Sequence, residues 1–243
     1  MERYERQIRI FGVEGQVRLK KSKVLVAGVG GLGCTAALFL AASGVGNIVL
    51  VDSERVELNN LNRQVLHWTR DIGVKKVYSA AKKLKELNPE VNVEVVDDSL
   101  REDNVYDYVK RVDLVVDGLD NWRTRFIVNK VCVELGKPFI HAGVHEVYGQ
   151  LLVIVPGKGP CLQCIIPKPP PETPNPPMLS TTPGILALLE VTEAIKIITG
   201  YGKPAIGKMI IYDGYAMTFN EIQVKKRPNC PVCGKNNPRR MKT

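Results

Sequence analysis

An α/β fold, with a mostly parallel sheet, helices on both faces and a continuation in antiparallel strands, is predicted by three features of this 243-residue sequence. First, the apolar run Val24-Leu25-Val26-Ala27 ends in Gly28-Val29-Gly30-Gly31-Leu32-Gly33 and passes at once into the helix-forming run Cys34 to Ala42. Strand, glycine turn and helix start in that order form a Rossmann-like nucleotide-binding unit, in which the helix N-terminus offers unpaired N–H groups to a phosphate. Second, short β-branched runs alternate with helical stretches through the first part of the chain, as in parallel sheets. Third, beyond residue 145 the chain changes character, and its alternating runs read as antiparallel strands.

Each element follows from local chemistry. Residues 1–21 mix charged and apolar positions at helical spacing ahead of the first strand. Asn47 to Val51 is the second strand and ends at Asp52. Gly73 to Val77 leads into a helix that runs to Leu87, where Asn88-Pro89 stops it. Val91 to Val96 is a third strand. Asp113 to Asn121 is a fourth, with acidic residues at its carboxyl end, where parallel sheets bind their ligands. Arg123 to Leu135 is a helix, and Pro138 to Ala142 a fifth strand. Tyr148 to Val155, Met209 to Asp213 and Thr218 to Val224 alternate as antiparallel strands. Between them, Pro167 to Pro177 is a crossover loop without helix or strand, followed by a helix from Ile185 to Thr199 that ends at Gly200. No internal repeat is present.

Composition narrows the classes. Hydrophobic residues make up 44%, ordinary for a globular protein. No apolar run approaches the roughly 20 residues of a membrane helix, and the charged start Met1-Glu2-Arg3-Tyr4-Glu5-Arg6 is not a signal peptide. A cytoplasmic protein without membrane partners is expected. The formal net charge of +9 suits a solvated lysine-rich surface, a polyphosphate ligand or an acidic partner. No dense basic helix with interleaved aromatics points to nucleic acid. Arg239 to Thr243 is expected to be a frayed end.

Several residues carry chemistry. Asp52 lies about 20 positions past the glycine turn, where a carboxylate binds ribose hydroxyls; a turn or cap aspartate is the structural alternative. Four of the six cysteines form Cys161-x-x-Cys164 and Cys230-x-x-Cys233, a set suited to a closed tetrahedral zinc that holds structure. Redox or disulfide chemistry is the alternative; two pairs in a cytoplasmic chain, with no helix expected directly after Cys161, favour zinc. Cys34 and Cys132 lie in apolar helical contexts as buried thiols. His67, His141 and His145 are expected to be packed or surface residues, and Trp68 and Trp122 to serve packing.

The motifs Arg3-Tyr4-x-Arg6-Gln7, Gly28-x-Gly30-Gly31-x-Gly33-Cys34, Asn60-Leu61-Asn62-Arg63-Gln64, Asp117-Gly118-Leu119-Asp120-Asn121 and the paired CxxC follow one another in this order. Together they resemble the MoeB/ThiF/HesA family, relatives of ubiquitin-activating enzymes, from Arg3 to Cys233. The resemblance implies a single adenylation domain over residues 1–243, with a nucleotide-binding half (1–145) and a carrier-binding, zinc-containing half (146–243) whose crossover loop spans 165–183. It implies ATP-dependent adenylation of the C-terminal glycine of a ubiquitin-like, β-grasp sulfur-carrier protein ending in Gly-Gly, with release of pyrophosphate. The implied site comprises Gly30, Gly31 and Gly33 at the phosphates, Asp52 at the ribose, and Asn59, Asn60 and Asn121 as pocket lining. Arg63 and Lys76 match the phosphate-contacting cations, with Lys76 preferred over its neighbour Lys75, and Asp120 matches the magnesium ligand. Arg6 matches an arginine that reaches across a homodimer into the partner's ATP site.

One departure stands out. Relatives that form a carrier thioester place a cysteine in the crossover loop, and residues 165–183 contain none. Thr173 lies near that place, and a threonine hydroxyl has no accessible anion near neutral pH. Cys34 and Cys132 are poor stand-ins, so adenylation without a thioester is expected. An NAD-dependent oxidoreductase would share the glycine turn and Asp52 but would give no reason for Arg6, Arg63, Lys76 and Asp120. A non-catalytic scaffold subunit would not need every ATP-site residue type. A relative acting on another substrate, a tRNA base or a peptide, keeps the same site, though the double CxxC favours a carrier protein.

Overall fold

A computed structural model of the chain describes residues 1–172 and 176–234. Thr173 and the tail from Arg239 lie outside the described residues.

The chain runs α1 (Glu5–Lys21), β1 (Lys23–Ala27), α2 (Gly31–Ala42), β2 (Asn47–Val51), α3 (Lys76–Leu87), β3 (Asn92–Val96), α4 (Val105–Lys110), β4 (Leu114–Asp117), α5 (Trp122–Glu134), β5 (Phe139–His145), β6 (Tyr148–Ile154), α6 (Leu162–Ile165), α7 (Thr181–Thr199), β7 (Lys208–Asp213) and β8 (Thr218–Gln223). One sheet takes all eight strands in the order β3-β2-β1-β4-β5-β6-β7-β8. β1 to β5 pair in parallel, and β6, β7 and β8 continue the sheet antiparallel. Strand order reverses between β1 and β4, which are direct neighbours with Ala27 opposite Asp117. That reversal opens a crevice at the carboxyl ends of the two strands.

The pleat sends alternate residues of β1 to opposite cores. Val24 and Val26 pack with Leu40, Ile48, Leu84 and the α7 residues Leu186 and Ala187. Leu25 and Ala27 pack with Val49, Val109, Val128, Phe139 and the four paired cysteines. Residues of β1 and β2 are apolar in both directions because helices cover both faces. β8 lies at the sheet edge, and all six of its residues are exposed.

Several boundaries differ from the sequence reading. α1 is broken at Gly12, whose φ of 76° leaves the helical region. The fourth strand stops at Asp117, well short of Asn121, because the Asp117 carboxylate turns back to accept the Leu119 N–H at 2.9 Å. Asn121 instead caps α5 by accepting from the Thr124 N–H at 2.8 Å. α7 begins at Thr181, four residues before the expected Ile185, with Pro183 in the first turn, where a missing N–H costs no helix bond. The loop between α6 and α7 is therefore 166–180.

Two short helices escaped the sequence pattern. α4 has six residues behind the charged stretch Arg101-Glu102-Asp103, too short to show a period. α6 follows Cys161 directly, correcting the expectation of no helix there. A single helical turn is what brings residues three apart onto one face, so this correction serves the pairing of Cys161 with Cys164.

Candidate nucleotide site and metal centre

The glycine turn and the loop after β4 are locked together by backbone contact. The Gly118 N–H donates to Ala27 O at 2.7 Å. A Cβ on Gly28, which has φ +91°, would lie 2.5 Å from Gly118 O, and one on Gly118 would lie 2.9 Å from Ala27 O. A Cβ on Gly33 would overlap Gly28 O. These glycines serve close backbone approach as much as conformational freedom.

The turn is held from three sides. The Gly28 N–H donates to Val51 O at 2.8 Å. Asp52 Oδ2 accepts from the Val29 N–H at 2.8 Å, and its Oδ1 from the Glu54 N–H at 2.8 Å. The Asp52 carboxylate thus sits beside the turn and serves there as a turn aspartate. Burial raises its pKa against the pull of those two N–H groups and of Lys76. The Val29 carbonyl receives His67 Nε2 at 3.1 Å and the Cys34 thiol at 3.2 Å. On its other side, His67 Nδ1 meets Ser79 Oγ at 3.0 Å, and Lys83 Nζ donates to that Ser79 oxygen at 2.9 Å. A neutral imidazole, donor at Nε2 and acceptor of the Ser79 hydroxyl at Nδ1, satisfies this chain. Burial pushes the His67 pKa down to about 4, and the nearby Lys76 and Lys83 charges act in the same direction. Burial also pushes the Cys34 thiol up to about 12, which leaves it inert.

The expected cations divide clearly. Lys76 is 3% exposed, and its Nζ pairs with Glu54 Oε2. Lys75 is held elsewhere, by Ser53 O at 2.7 Å and Asp97 Oδ1 at 2.9 Å. Arg63 leans on the turn: a Cβ on Gly31 would lie 3.5 Å from Arg63 Cγ and 3.2 Å from Pro183 of α7. Its Nη1 donates to Asn59 O and to Asn62 Oδ1, each at 2.9 Å. Asn60 is buried, and its Nδ2 donates to Asn59 Oδ1 at 2.6 Å. Asp120 stands exposed after the β4 loop and accepts from Asn121 Nδ2 at 3.2 Å. Arg6 lies exposed on α1 and shares no hydrogen bond or ion pair with these residues.

A candidate metal centre lies within the second core. The sulfurs of Cys161, Cys164, Cys230 and Cys233 are buried and lie within 4.8 Å of one another. Cys161–Cys164, Cys161–Cys230 and Cys164–Cys233 are 4.0, 3.6 and 3.3 Å apart. A tetrahedral ion with bonds of about 2.3 Å sets sulfur–sulfur edges of about 3.8 Å. No disulfide joins them. Burial, then the neighbouring sulfurs, raises Cys161, while backbone N–H groups of Cys233 and Val232 overcome burial and bring Cys230 down to about 7. The arrangement suits a four-thiolate zinc, and with all four positions filled by protein it leaves none for catalysis.

Sequence reasoning missed a second cluster beneath the β4 loop. Asp117, Arg125 and His141 are buried together, with Arg125 Nε 3.1 Å and His141 Nδ1 2.6 Å from Asp117 Oδ2. Glu190 of α7 is fully buried beside them. Asp117 belonged to a quoted motif, but no local spacing links it to Arg125, His141 and Glu190. The two tryptophans also separate: Trp122 packs near His141 and Arg125, whereas Trp68 is 43% exposed and held between Arg70 and Lys83. His145 is exposed, as expected.

A family model described as the ThiF family matches residues 4–232. The chain is 40% identical over 246 residues to a sulfur carrier protein adenylyltransferase of Thermus thermophilus, covering 96% of this chain and 91% of that one. It is 40% identical over 241 residues to the SAMP-activating enzyme E1 of Haloferax volcanii, covering 96% and 89%. The solved structure of E. coli MccB with ATP superposes with a TM-score of 0.84 at 28% identity, covering 95% of this chain and 74% of that chain.

His67 generates a pH prediction. Its pKa is lower folded (about 4) than unfolded (6.5), so its neutral form stabilises the fold fully above pH 6.5. That stability is lost as pH falls from 6.5 toward 4, at up to about 1.4 kcal/mol per pH unit. Urea unfolding at stepped pH should show the advantage of the native chain over His67→Gln shrinking across this window. A constant difference would contradict a buried neutral His67.

Proposed function

The chain belongs to the ThiF family, and we propose that it adenylates the C-terminal glycine of a ubiquitin-like sulfur-carrier protein. A carboxylate oxygen of that glycine attacks the α-phosphorus of ATP, the bond to the bridging oxygen breaks, and acyl-adenylate and pyrophosphate result. The observation that carries this reading is the convergence of two loops at the strand-order reversal. The glycine turn, Asp52, Arg63 and Lys76 lie on one side and Asp120 on the other, held together by the Gly28–Gly118 contact.

Each residue has work suited to its surroundings. The backbone of Gly30, Gly31 and Gly33 lets phosphates approach the start of α2. Asp52 keeps lone pairs for ribose hydroxyls while its N–H partners fix its rotamer. Lys76 exchanges Glu54 for phosphate, and with Arg63 stabilises charge on the pentavalent phosphorus and leaving pyrophosphate. Asn59, Asn60 and Asn121 line the pocket. Asp120, exposed and with no ion pair among the described residues, suits a magnesium ion, whose charge neutralises the polyphosphate when bound. Zinc on the four cysteines clips the segments before and after α7 together.

Residues 1–145 form the nucleotide half and residues 146–243 the carrier half of one domain. The carrier docks on the antiparallel strands and the crossover loop, where Tyr148, Met217, Phe219 and Ile222 are exposed. The basic surface favours an acidic carrier. Arg6 completes the ATP site of the partner in a homodimer. With no cysteine in 165–183, the acyl-adenylate is the end of the covalent sequence on this chain. No helix among the described residues is long and apolar enough to cross a membrane.

Exchange of labelled pyrophosphate into ATP, dependent on a carrier ending in Gly-Gly, is the expected activity. Arg63→Ala or Lys76→Ala should lower it by about 10²–10³-fold. Arg6→Ala mixed with Asp120→Ala should recover activity, since one site of the mixed dimer holds both intact residues. No exchange with any Gly-Gly carrier overturns adenylation, dead mixed dimers overturn the role across the dimer, and a thiol-labile carrier adduct overturns the absence of a thioester.

Zinc gives a separate prediction. The isolated chain should contain one zinc per protomer, and Cys161→Ser should lose it. Withdrawing zinc held at 100–1,000 times its Kd should cost about 3–4 kcal/mol, or ~6–16 °C in Tm by calorimetry. An unchanged melt after chelation would rule out a structural ion.

A further inference from the structure

We propose that Arg125 is a positioning residue for magnesium binding, acting by clamping the Leu119 peptide so that Asp120 leaves β4 at a fixed point opposite the glycine turn. The proposal rests on the adenylation reading and on Asp120 as the magnesium-binding carboxylate.

Asp120 is not held by its own surroundings. It is exposed, and among the described residues its one hydrogen bond is to the adjacent Asn121 side chain. Its place is set by the backbone on either side of it. After it, Asn121 Oδ1 accepts from the Thr124 N–H at 2.8 Å, and the Trp122 N–H donates to Glu172 Oε1 at 3.1 Å. Before it, the Leu119 peptide is bound at both its polar groups. The Leu119 N–H goes to Asp117 Oδ1 at 2.9 Å, and the Leu119 carbonyl receives Arg125 Nη2. The same Nη2 reaches Ala142 O of β5 at 3.2 Å, and Nε reaches Asp117 Oδ2 at 3.1 Å. One planar guanidinium thus ties the end of β4, the loop after it and β5 into one unit. A lysine in the same place offers a point charge without the fork.

The cluster is arranged so that this one pair carries its charge. His141 donates Nδ1–H to Asp117 Oδ2 at 2.6 Å, and its Nε2 faces Gln150 Nε2 at 3.4 Å, which fits the neutral tautomer. Burial holds its pKa down. Glu190, facing from α7, is pushed toward the neutral acid by burial and then by the Asp117 carboxylate. Arg125 then serves a single buried carboxylate and two backbone carbonyls. A buried ion pair is weak as a source of stability, since apolar replacements are often neutral or better. The reach to the Leu119 carbonyl, one residue before Asp120, is the contact that joins this buried pair to the loop.

The test is ATP binding by calorimetry with and without magnesium, on the intact chain and on Arg125→Lys, with thermal melts in parallel. The intact chain should gain ATP affinity when magnesium is added. Arg125→Lys should bind magnesium-free ATP within about twofold of the intact chain yet lose about 10- to 100-fold of the magnesium-dependent gain, the usual effect of removing a partner behind a metal ligand. Equal loss with and without magnesium, or no loss, overturns the proposal. Should Arg125→Lys not fold, His141→Ala and His141→Asn carry the test. The Asn amide stands in for Nδ1–H and should restore the gain that Ala loses; equal behaviour of the two overturns the clamp. An intact chain that binds no ATP refutes the nucleotide reading itself, an outcome distinct from a magnesium effect that fails in the variants alone.

Discussion

The contact between Gly28 and Gly118 is the constraint on which the site depends. β1 and β4 are neighbours whose chains diverge at their carboxyl ends, and each ends in a loop bearing polar groups. For those groups to face one ligand, the loops must approach more closely than any Cβ permits. Gly118 N–H bonding to Ala27 O closes the gap, and the missing Cβ atoms of Gly28, Gly33 and Gly118 make room for it. The glycine pattern, which reads as a phosphate cradle, is thus also the seam that joins two halves of the crevice.

Around this seam the polar groups divide by burial. The half-buried Asp52 holds the Val29 N–H, and the buried chain of His67, Ser79 and Lys83 holds the Val29 carbonyl on the other side. Hydrogen bonds on both sides of one peptide fix the geometry of the turn. Lys76 is different. It is buried but paired with a mostly exposed glutamate, Glu54, an exchangeable partner for a cation that in the proposed reaction must meet phosphate. The interior groups hold the turn, and the groups at its rim remain available.

What was legible in the sequence follows the range of the forces involved. β2 was read to the residue, because alternating burial under two helical layers writes itself into a continuous apolar run. The paired cysteines were legible because each half of the cluster is a local motif, and their convergence followed from four thiols needing one ion. Boundaries set by one side chain were not: Asp117 ends β4 through its own carboxylate, and nothing in a run of apolar residues announces that. The cluster of Asp117, Arg125, His141 and Glu190 was invisible for a stronger reason. Its members come from four elements, β4, α5, β5 and α7, and only the folded sheet brings them together. The one-turn helix after Cys161 was missed because four residues cannot show a period.

The crossover loop joins these observations. One end leaves α6 at the cysteine cluster, which is bound to α5 where the Leu162 N–H meets Asn129 Oδ1 at 3.0 Å. Its other end is bound to the β5–β6 turn, where the Leu179 N–H donates to Glu146 O at 3.0 Å. α7 then starts with Pro183 against Gly31 of the glycine turn. The loop therefore spans from the metal centre to the nucleotide crevice, with both ends anchored on rigid elements. A metal that does no chemistry can still govern the reaction proposed here. In the proposed reaction such an ion would fix where the loop departs, on the side of the chain proposed to receive the carrier. Position, set at one end by four sulfurs and at the other by a proline on a glycine, is what the two halves of the chain exchange.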